Sequence, residues 1–265
     1  MMAASILEEI FAARRISVAA AELTTPLDLL RERAGDLPSA RDFRGALQAS
    51  PFALIAEVKK GSPSRGVFRE DFNPVALAEA YAEGGASAIS IVTEPDFFWG
   101  SLEWLSTIRE AVPCPLLRKD FTFSEYQVWE ARAHGADAIL LILAMLTDSE
   151  AAMLLQSADD AGVHALVEVH NKSEASRAGK LGAKIIGVNN RNLSTFDVSL
   201  DVSKSLTDAL PAEAVKVSES GIHTFEDCRA LSALGYHAFL VGEALIESAN
   251  PAAAVEKFRG QSSGT

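Results

Sequence analysis

Five ionisable side chains stand near the ends of apolar runs, where charge is out of place: Glu57 and Lys59 in ALIAEVK, Lys119 in PLLRKDF, Glu168 in HALVEVH and Glu219 in VKVSES. The amide Asn189 closes another run, KIIGVN, and Arg191 follows it. Side chains of an extended chain alternate between two faces. Ile55, Glu57 and Lys59 therefore share a face, as do Leu117, Lys119 and Phe121; Leu166 goes with Glu168, Val217 with Glu219, and Gly187 with Asn189 and Arg191. If those faces look toward one axis, two lysines, three carboxylates and an amide meet at one end of it. An ion-pair plug is the bland account. A buried charge costs several kcal/mol unless it is paired, so five on separate strands are a poor device for stability alone. Proton transfer is the simpler reading: lysines in such surroundings are expected to have lowered pKa values and to serve as general acids, with the carboxylates ionised as bases.

Two glycine turns follow the last apolar runs, Ser218-Glu219-Ser220-Gly221-Ile222 and Val241-Gly242-Glu243-Ala244-Leu245. Backbone N–H groups at a turn that opens a helix suit a phosphate dianion. The side chain of Glu243 must then point away while its N–H donates. Lys59, Arg65, Lys119 and Arg191 are expected to concentrate positive charge and draw in an anion. The segment Gly61-Ser62-Pro63-Ser64-Arg65-Gly66 has the small and basic residues of a mobile anion-binding lid. Phe97, Phe98, Trp99 and Phe121 suggest an aromatic wall, whereas Phe123 reads better as core.

The elements that must position these groups are legible as eight short β-rich runs, at residues 53–59, 86–93, 115–121, 138–143, 164–170, 184–189, 215–220 and 238–241. Helix-period stretches separate them, several opening after Asn, Ser, Thr or Asp and several closing on Gly84, Gly135, Gly162, Gly182 or Gly235. Alternating strands and helices with strands apolar on both faces predict a parallel sheet covered all round, and eight of them predict an α/β fold of the (β/α)8 TIM-barrel type. A doubly wound sheet would usually carry GxGxxG after its first strand, and none occurs. An amphipathic stretch over 6–23, a second at 26–33 and a polar segment precede the first strand. They predict an N-terminal helical extension of about residues 1–48, within a single domain of residues 1–259, with residues 260–265 as a disordered tail.

Composition narrows the class. The chain has 265 residues, 24 Lys plus Arg against 36 Asp plus Glu, and 48% apolar residues. That excludes disorder and, with a net charge of −12, argues against a nucleic-acid partner. The longest apolar run is too short to span a bilayer, so no membrane partner is expected. Glu8, Glu9, Arg14 and Arg15 interrupt any secretory signal, and two distant cysteines make no disulfide framework, so the cytoplasm is the expected compartment.

Taken in order, IAEVKKGSPSRG (55–66), SIVTEPDFFWG (90–100), LRKDFTFSEYQ (117–127), LVEVHN (166–171), IGVNNRNL (186–193) and VSESGI (217–222) resemble the indole-3-glycerol phosphate synthase family of tryptophan biosynthesis over almost the whole chain. The resemblance implies a carboxy-lyase without metal or organic cofactor. It would convert 1-(2-carboxyphenylamino)-1-deoxyribulose 5-phosphate to indole-3-glycerol phosphate, CO2 and water. It further implies Lys119 as general acid in ring closure, Glu168 as base in dehydration, and Lys59 as the ligand of the substrate carboxylate. Glu57 would tune the lysines; Asn189, Arg191, Glu219 and Ser220 would hold polar groups. Ser62 and the backbone of Gly221, Gly242 and Glu243 would take the phosphate, and Phe98 and Phe121 the anthranilate ring. A monomer is expected, with the phosphorylated substrate and other enzymes of the same pathway as partners. The chain departs from the family at Gly61, where Ala is commoner, at Arg65, where Lys is, and at Arg14 and Arg15, where lysines are usual. The rival readings are a phosphosugar isomerase, a Schiff-base aldolase using Lys119 or Lys59 as nucleophile, and a non-catalytic metabolite-binding barrel.

Overall fold

The computed structural model describes residues 6–193 and 195–261. Eight parallel strands close on themselves: β1 (Ala53–Val58), β2 (Ala88–Val92), β3 (Leu116–Lys119), β4 (Ala138–Ile142), β5 (His164–Val169), β6 (Ile185–Asn189), β7 (Val215–Glu219) and β8 (Ala238–Val241), each beside its sequence neighbour and β8 beside β1. Nearly every strand residue is buried. Leu54, Ala56, Ile89, Leu116, Ile139, Val167, Ile186 and Phe239 face the helices, and Ile55, Leu117, Leu140, Leu166, Val217 and Leu240 fill the interior. The alternation expected from the sequence is the alternation observed.

Capping follows side-chain chemistry. Asn73 accepts N–H bonds from Val75 and Ala76 at the start of α4 (Pro74–Glu83), and Thr147 exchanges bonds with Glu150 in a capping box on α7 (Asp148–Asp160). Asn171 opens α8 (Lys172–Lys180) by accepting from the N–H of Glu174. Gly135, Gly162, Gly182 and Gly235 take the left-handed turns that lead back toward the strands; α4 closes on Gly84 as expected, with the left-handed turn at Gly85 just after it. Gly260, also left-handed, ends α12 (Pro251–Phe258), and the N–H of Gln261 reaches the carbonyl of Glu256; the rest of the expected tail, residues 262–265, lies outside the described residues.

The N-terminal extension supplies both ends of the barrel. Helices α1 (Ile6–Thr24) and α2 (Leu27–Asp36) lie against α6 (Glu125–Ala133). The polar segment beyond them is not all loop, because it contains α3 (Phe43–Gln48), started by Asp42. Phe43 and Leu47 from α3 are fully buried beneath the barrel, against the small inward residues Ala53, Ala88, Ala138 and Ala238. Alanines at the strand starts leave the space those two side chains fill, and each burial contributes about 2 kcal/mol or more. The segment after β1 pairs Gly61–Ser62 with Gly66–Val67 as a short antiparallel ribbon. Among the described residues no helix is long and apolar enough to cross a membrane.

Candidate active site

Parallel pairing brings the strand ends into line. Asn189 is opposite Glu219, Ile142 opposite Glu168, and Val92 opposite Lys119. The inward charges therefore converge at the C-terminal mouth, where barrels carry their chemistry. The fourteen residues to which the resemblance gives a role line one cavity of about 370 Å³: Glu57, Lys59, Ser62, Phe98, Lys119, Phe121, Glu168, Asn189, Arg191, Glu219, Ser220, Gly221, Gly242 and Glu243; Arg65, Phe97 and Trp99, also expected at the site, are not part of its lining. The Lys59 ammonium is 2.8 Å from Oε2 of Glu57. Lys119 Nζ lies 3.9 Å from Oε2 of Glu168 and 3.9 Å from Oε2 of Glu219. Asn189 accepts the N–H of Arg191 through Oδ1, and its side chain is close enough to Glu168 to help keep that carboxyl ionised. The rings of Phe98 and Phe121 face each other across 6.1 Å at a tilt of 41°.

The protonation states divide the carboxylates. Burial pushes Glu57 up, but Lys59 and then Lys119 outweigh it and hold Glu57 below its usual range. Glu168 is also held low, because His170, Lys119 and Asn189 together exceed its burial penalty. Glu219 goes the other way: burial and then the neighbouring Glu168 charge raise it, and Lys119 offsets only part. Neither Glu219 oxygen has a hydrogen-bond partner although both are buried. A carboxyl so placed keeps a proton well above the ordinary range and can donate it.

Two electrostatic expectations are corrected. The sequence predicts a lowered lysine pKa; burial does pull Lys119 down, but Glu168, Glu219 and Glu57 surround it and the net shift is upward. The expected excess of positive charge is also absent, because each cation already has a counter-ion. Arg65 meets Glu243 at 3.2 Å and Glu247 at 2.7 Å, and Arg191 meets Glu243 at 3.2 Å. Charges in a half-buried mouth are tolerable when matched. Glu243 accordingly turns toward these arginines.

The departures from the family acquire reasons. A Cβ on Gly61 would strike the Trp99 ring and the Gly66 carbonyl. Arg65 uses the two arms of its fork to reach two carboxylates, Glu243 and Glu247. Arg14 makes a bidentate bond to Asp120 at 3.0 and 2.9 Å, both residues buried. Asp120 also accepts from Arg118 (3.0 Å) and Thr93 (2.7 Å), and Arg118 reaches Glu130 (2.8 Å). This network lies on the outer face of β3, directly behind Lys119, and ties α1 to the strand. Arg15 lies over the rings of Phe11 and Phe123, which confirms Phe123 as packing.

Sequence reasoning missed several members. His170 stands between Glu168 (3.2 Å) and Glu174 (3.1 Å). Glu94, fully buried, accepts the N–H groups of Asp96, Phe97 and Phe98 and so sets the loop that carries Phe98. Gly187 has no room for a Cβ because the Glu219 carboxylate occupies it. Asn190 donates to Ser218 and to the carbonyls of Glu219 and Ser220, fixing the end of β7 where Ser220 and Gly221 turn left-handed. Ile6, Leu7 and Ile10 of α1 form part of the cavity wall.

The family model described as "Indole-3-glycerol phosphate synthase" matches residues 7–258. The indole-3-glycerol phosphate synthase of Roseiflexus castenholzii is 48% identical over 97% of this chain and 99% of its own. That of Albidiferax ferrireducens is 46% identical over 94% and 96%. Among solved structures, 3-hexulose-6-phosphate synthase from Salmonella typhimurium superposes with a TM-score of 0.65 at 14% identity, over 78% of this chain and 97% of that one. At that identity the likeness concerns the barrel alone.

Proposed function

Because the chain belongs to the indole-3-glycerol phosphate synthase family, we propose that the charged cluster at its mouth performs that family's reaction with the division of labour that follows. The activity is the decarboxylating ring closure and dehydration that yields indole-3-glycerol phosphate in tryptophan biosynthesis. Lys119 is the general acid of the first step. Its ammonium protonates the C2 carbonyl oxygen as the ring carbon bearing the carboxylate attacks C2; the new C–C bond forms, the oxygen becomes a hydroxyl, and CO2 then leaves to restore the aromatic ring. In the second step Glu168, ionised, accepts a proton as the hydroxyl departs with a proton from Lys59, giving water and the indole double bond. Lys59 first binds the substrate carboxylate, oriented by Glu57.

The observation that carries this reading is the placement of Lys119 between Glu168 and Glu219, which keeps it charged. A protonated lysine is the right state for an acid and the wrong one for the amine nucleophile of an aldolase. Asn189, Arg191, Glu219 and Ser220 hold the substrate's polar groups. Ser62 and the backbone N–H groups of Gly221, Gly242 and Glu243 take the phosphate, and Phe98 and Phe121 flank the anthranilate ring. The unit at work is a single domain of residues 1–259, active in the cytoplasm as a monomer that meets other enzymes of the pathway. The test is indole fluorescence from purified protein and the carboxyphenylamino-deoxyribulose phosphate. Emission should rise, and a flat trace from folded protein would sink the assignment.

A further inference from the structure

Glu168 has two neighbours, one on each side. Oε2 faces the Lys119 ammonium in the cavity, and Oε1 faces Nε2 of His170 at 3.2 Å, out of line for a full hydrogen bond. The imidazole is held from behind: Nδ1 lies 3.1 Å from Oε2 of Glu174, and that same oxygen accepts the His170 backbone N–H at 2.8 Å. Glu174 is itself fixed in the first turn of α8, taking a side-chain bond from Asn171, whose own oxygen caps the Glu174 N–H. Imidazole, both carboxylates and the cap are thus one connected unit running from the end of β5 into α8.

We propose that His170 is the positioning residue for the base Glu168: clamped by Glu174, its ring carries a positive charge against Oε1 and leaves Oε2 directed at Lys119 and the substrate. The inference rests on the reading of Glu168 as base. His170 touches no reacting atom. The groups that face it are Glu168 on its own strand and Glu174 on α8, with Lys119 of β3 and Asn189 of β6 acting on it through Glu168. Burial opposes a charged ring, yet the two carboxylates raise the His170 pKa to about 10, so the ring is an imidazolium throughout the neutral range. With two cations beside it Glu168 stays ionised, and rotation of its carboxyl is limited because turning would exchange one ion contact for another.

The test compares His170→Gln, Glu174→Gln, Glu168→Gln and the double variant His170→Gln/Glu168→Gln by steady-state kinetics over a range of pH, with melting temperature as a check on folding. His170→Gln should lower kcat about tenfold or more with KM within about threefold. It should also move the acidic limb of the kcat profile upward by about one pH unit or more, since an opposite charge near Glu168 has been removed. Glu174→Gln, which leaves the imidazole in place, should do the same more weakly. In the Glu168→Gln background the histidine change should have no further effect. An unmoved acidic limb, or the same fold-loss in both backgrounds, overturns the positioning role. Wild-type-like kcat in Glu168→Gln alone removes the base assignment instead, so the two failures are distinguishable.

Discussion

Replacing Lys119 by Met separates a chemical role from a structural one, and the geometry gives the size of each. The ammonium faces two carboxylates at 3.9 Å. At an effective dielectric of about 20 the attraction to ionised Glu168 is worth about 4 kcal/mol gross, set against the cost of keeping the lysine out of water. Glu219, raised by its surroundings, keeps its proton when the lysine charge is lost, so Glu168 gains no like-charged neighbour. The net change in stability is therefore about 1–2 kcal/mol, and the melting temperature falls by about 2–8 °C. Catalysis has no such relief, because among the described residues Lys119 alone bridges those two carboxyl groups. Losing a general acid costs about 10²- to 10⁴-fold, or about 3 to 5 kcal/mol of transition-state stabilisation. The assay is continuous indole fluorescence with a thermal melt of the same preparation. A fall of more than about 15 °C with normal activity per folded molecule would refute the argument, since Lys119 would then be a structural ion-pair member.

Two other perturbations test how the site is supported. Arg14→Met removes one of the two guanidinium groups on buried Asp120, and because Arg118 remains the loss should be about 2–3 kcal/mol rather than the full cost of an orphaned charge. Asp120 is held below its usual range, burial opposing and Arg118 and Arg14 prevailing, so the bond's contribution is complete above the ordinary aspartate pKa and is lost as pH falls through the lowered one. Wild type and variant should differ in chemical denaturation at pH 7 and converge in acid; equal midpoints at pH 7 would reject the anchor. Gly187→Ala places a methyl where the Glu219 carboxylate sits, and the buried side chain must swing into the cavity. A cost of about 1–3 kcal/mol in stability and a rise in substrate KM of about tenfold are expected; an unchanged KM would mean that Glu219 does not define the binding space.

Strand parity made most of this site readable. A strand offers its side chains two choices, so a charged residue two places after an inward apolar one, such as Glu57 after Ile55 or Glu168 after Leu166, has its direction settled by local geometry. The supports depend on longer distances. Arg118 alternates outward, where the helices should meet an apolar side chain; its reasons are Glu130 on α6 and Asp120, and Asp120 in turn depends on Arg14, 106 residues away. Gly187 matters for a carboxylate on the next strand, which no pattern within β6 reveals. His170 could have been found locally, since Glu168, His170 and Glu174 combine strand spacing with a helix first turn, but its role needed the turn between them. The protonation states were the least legible, because Lys119 follows the balance of three carboxylates from three strands rather than burial alone.

Phe43 and Leu47 close the floor of the barrel, and the layers above them are filled. Among the described residues, traffic therefore goes through the opposite mouth, which the Gly61–Val67 ribbon and Ile6, Leu7 and Ile10 of α1 border. One turnover produces three species of unequal size from one. In the proposed reaction carbon dioxide and water would leave by the same mouth as the bulkier glycerol phosphate product.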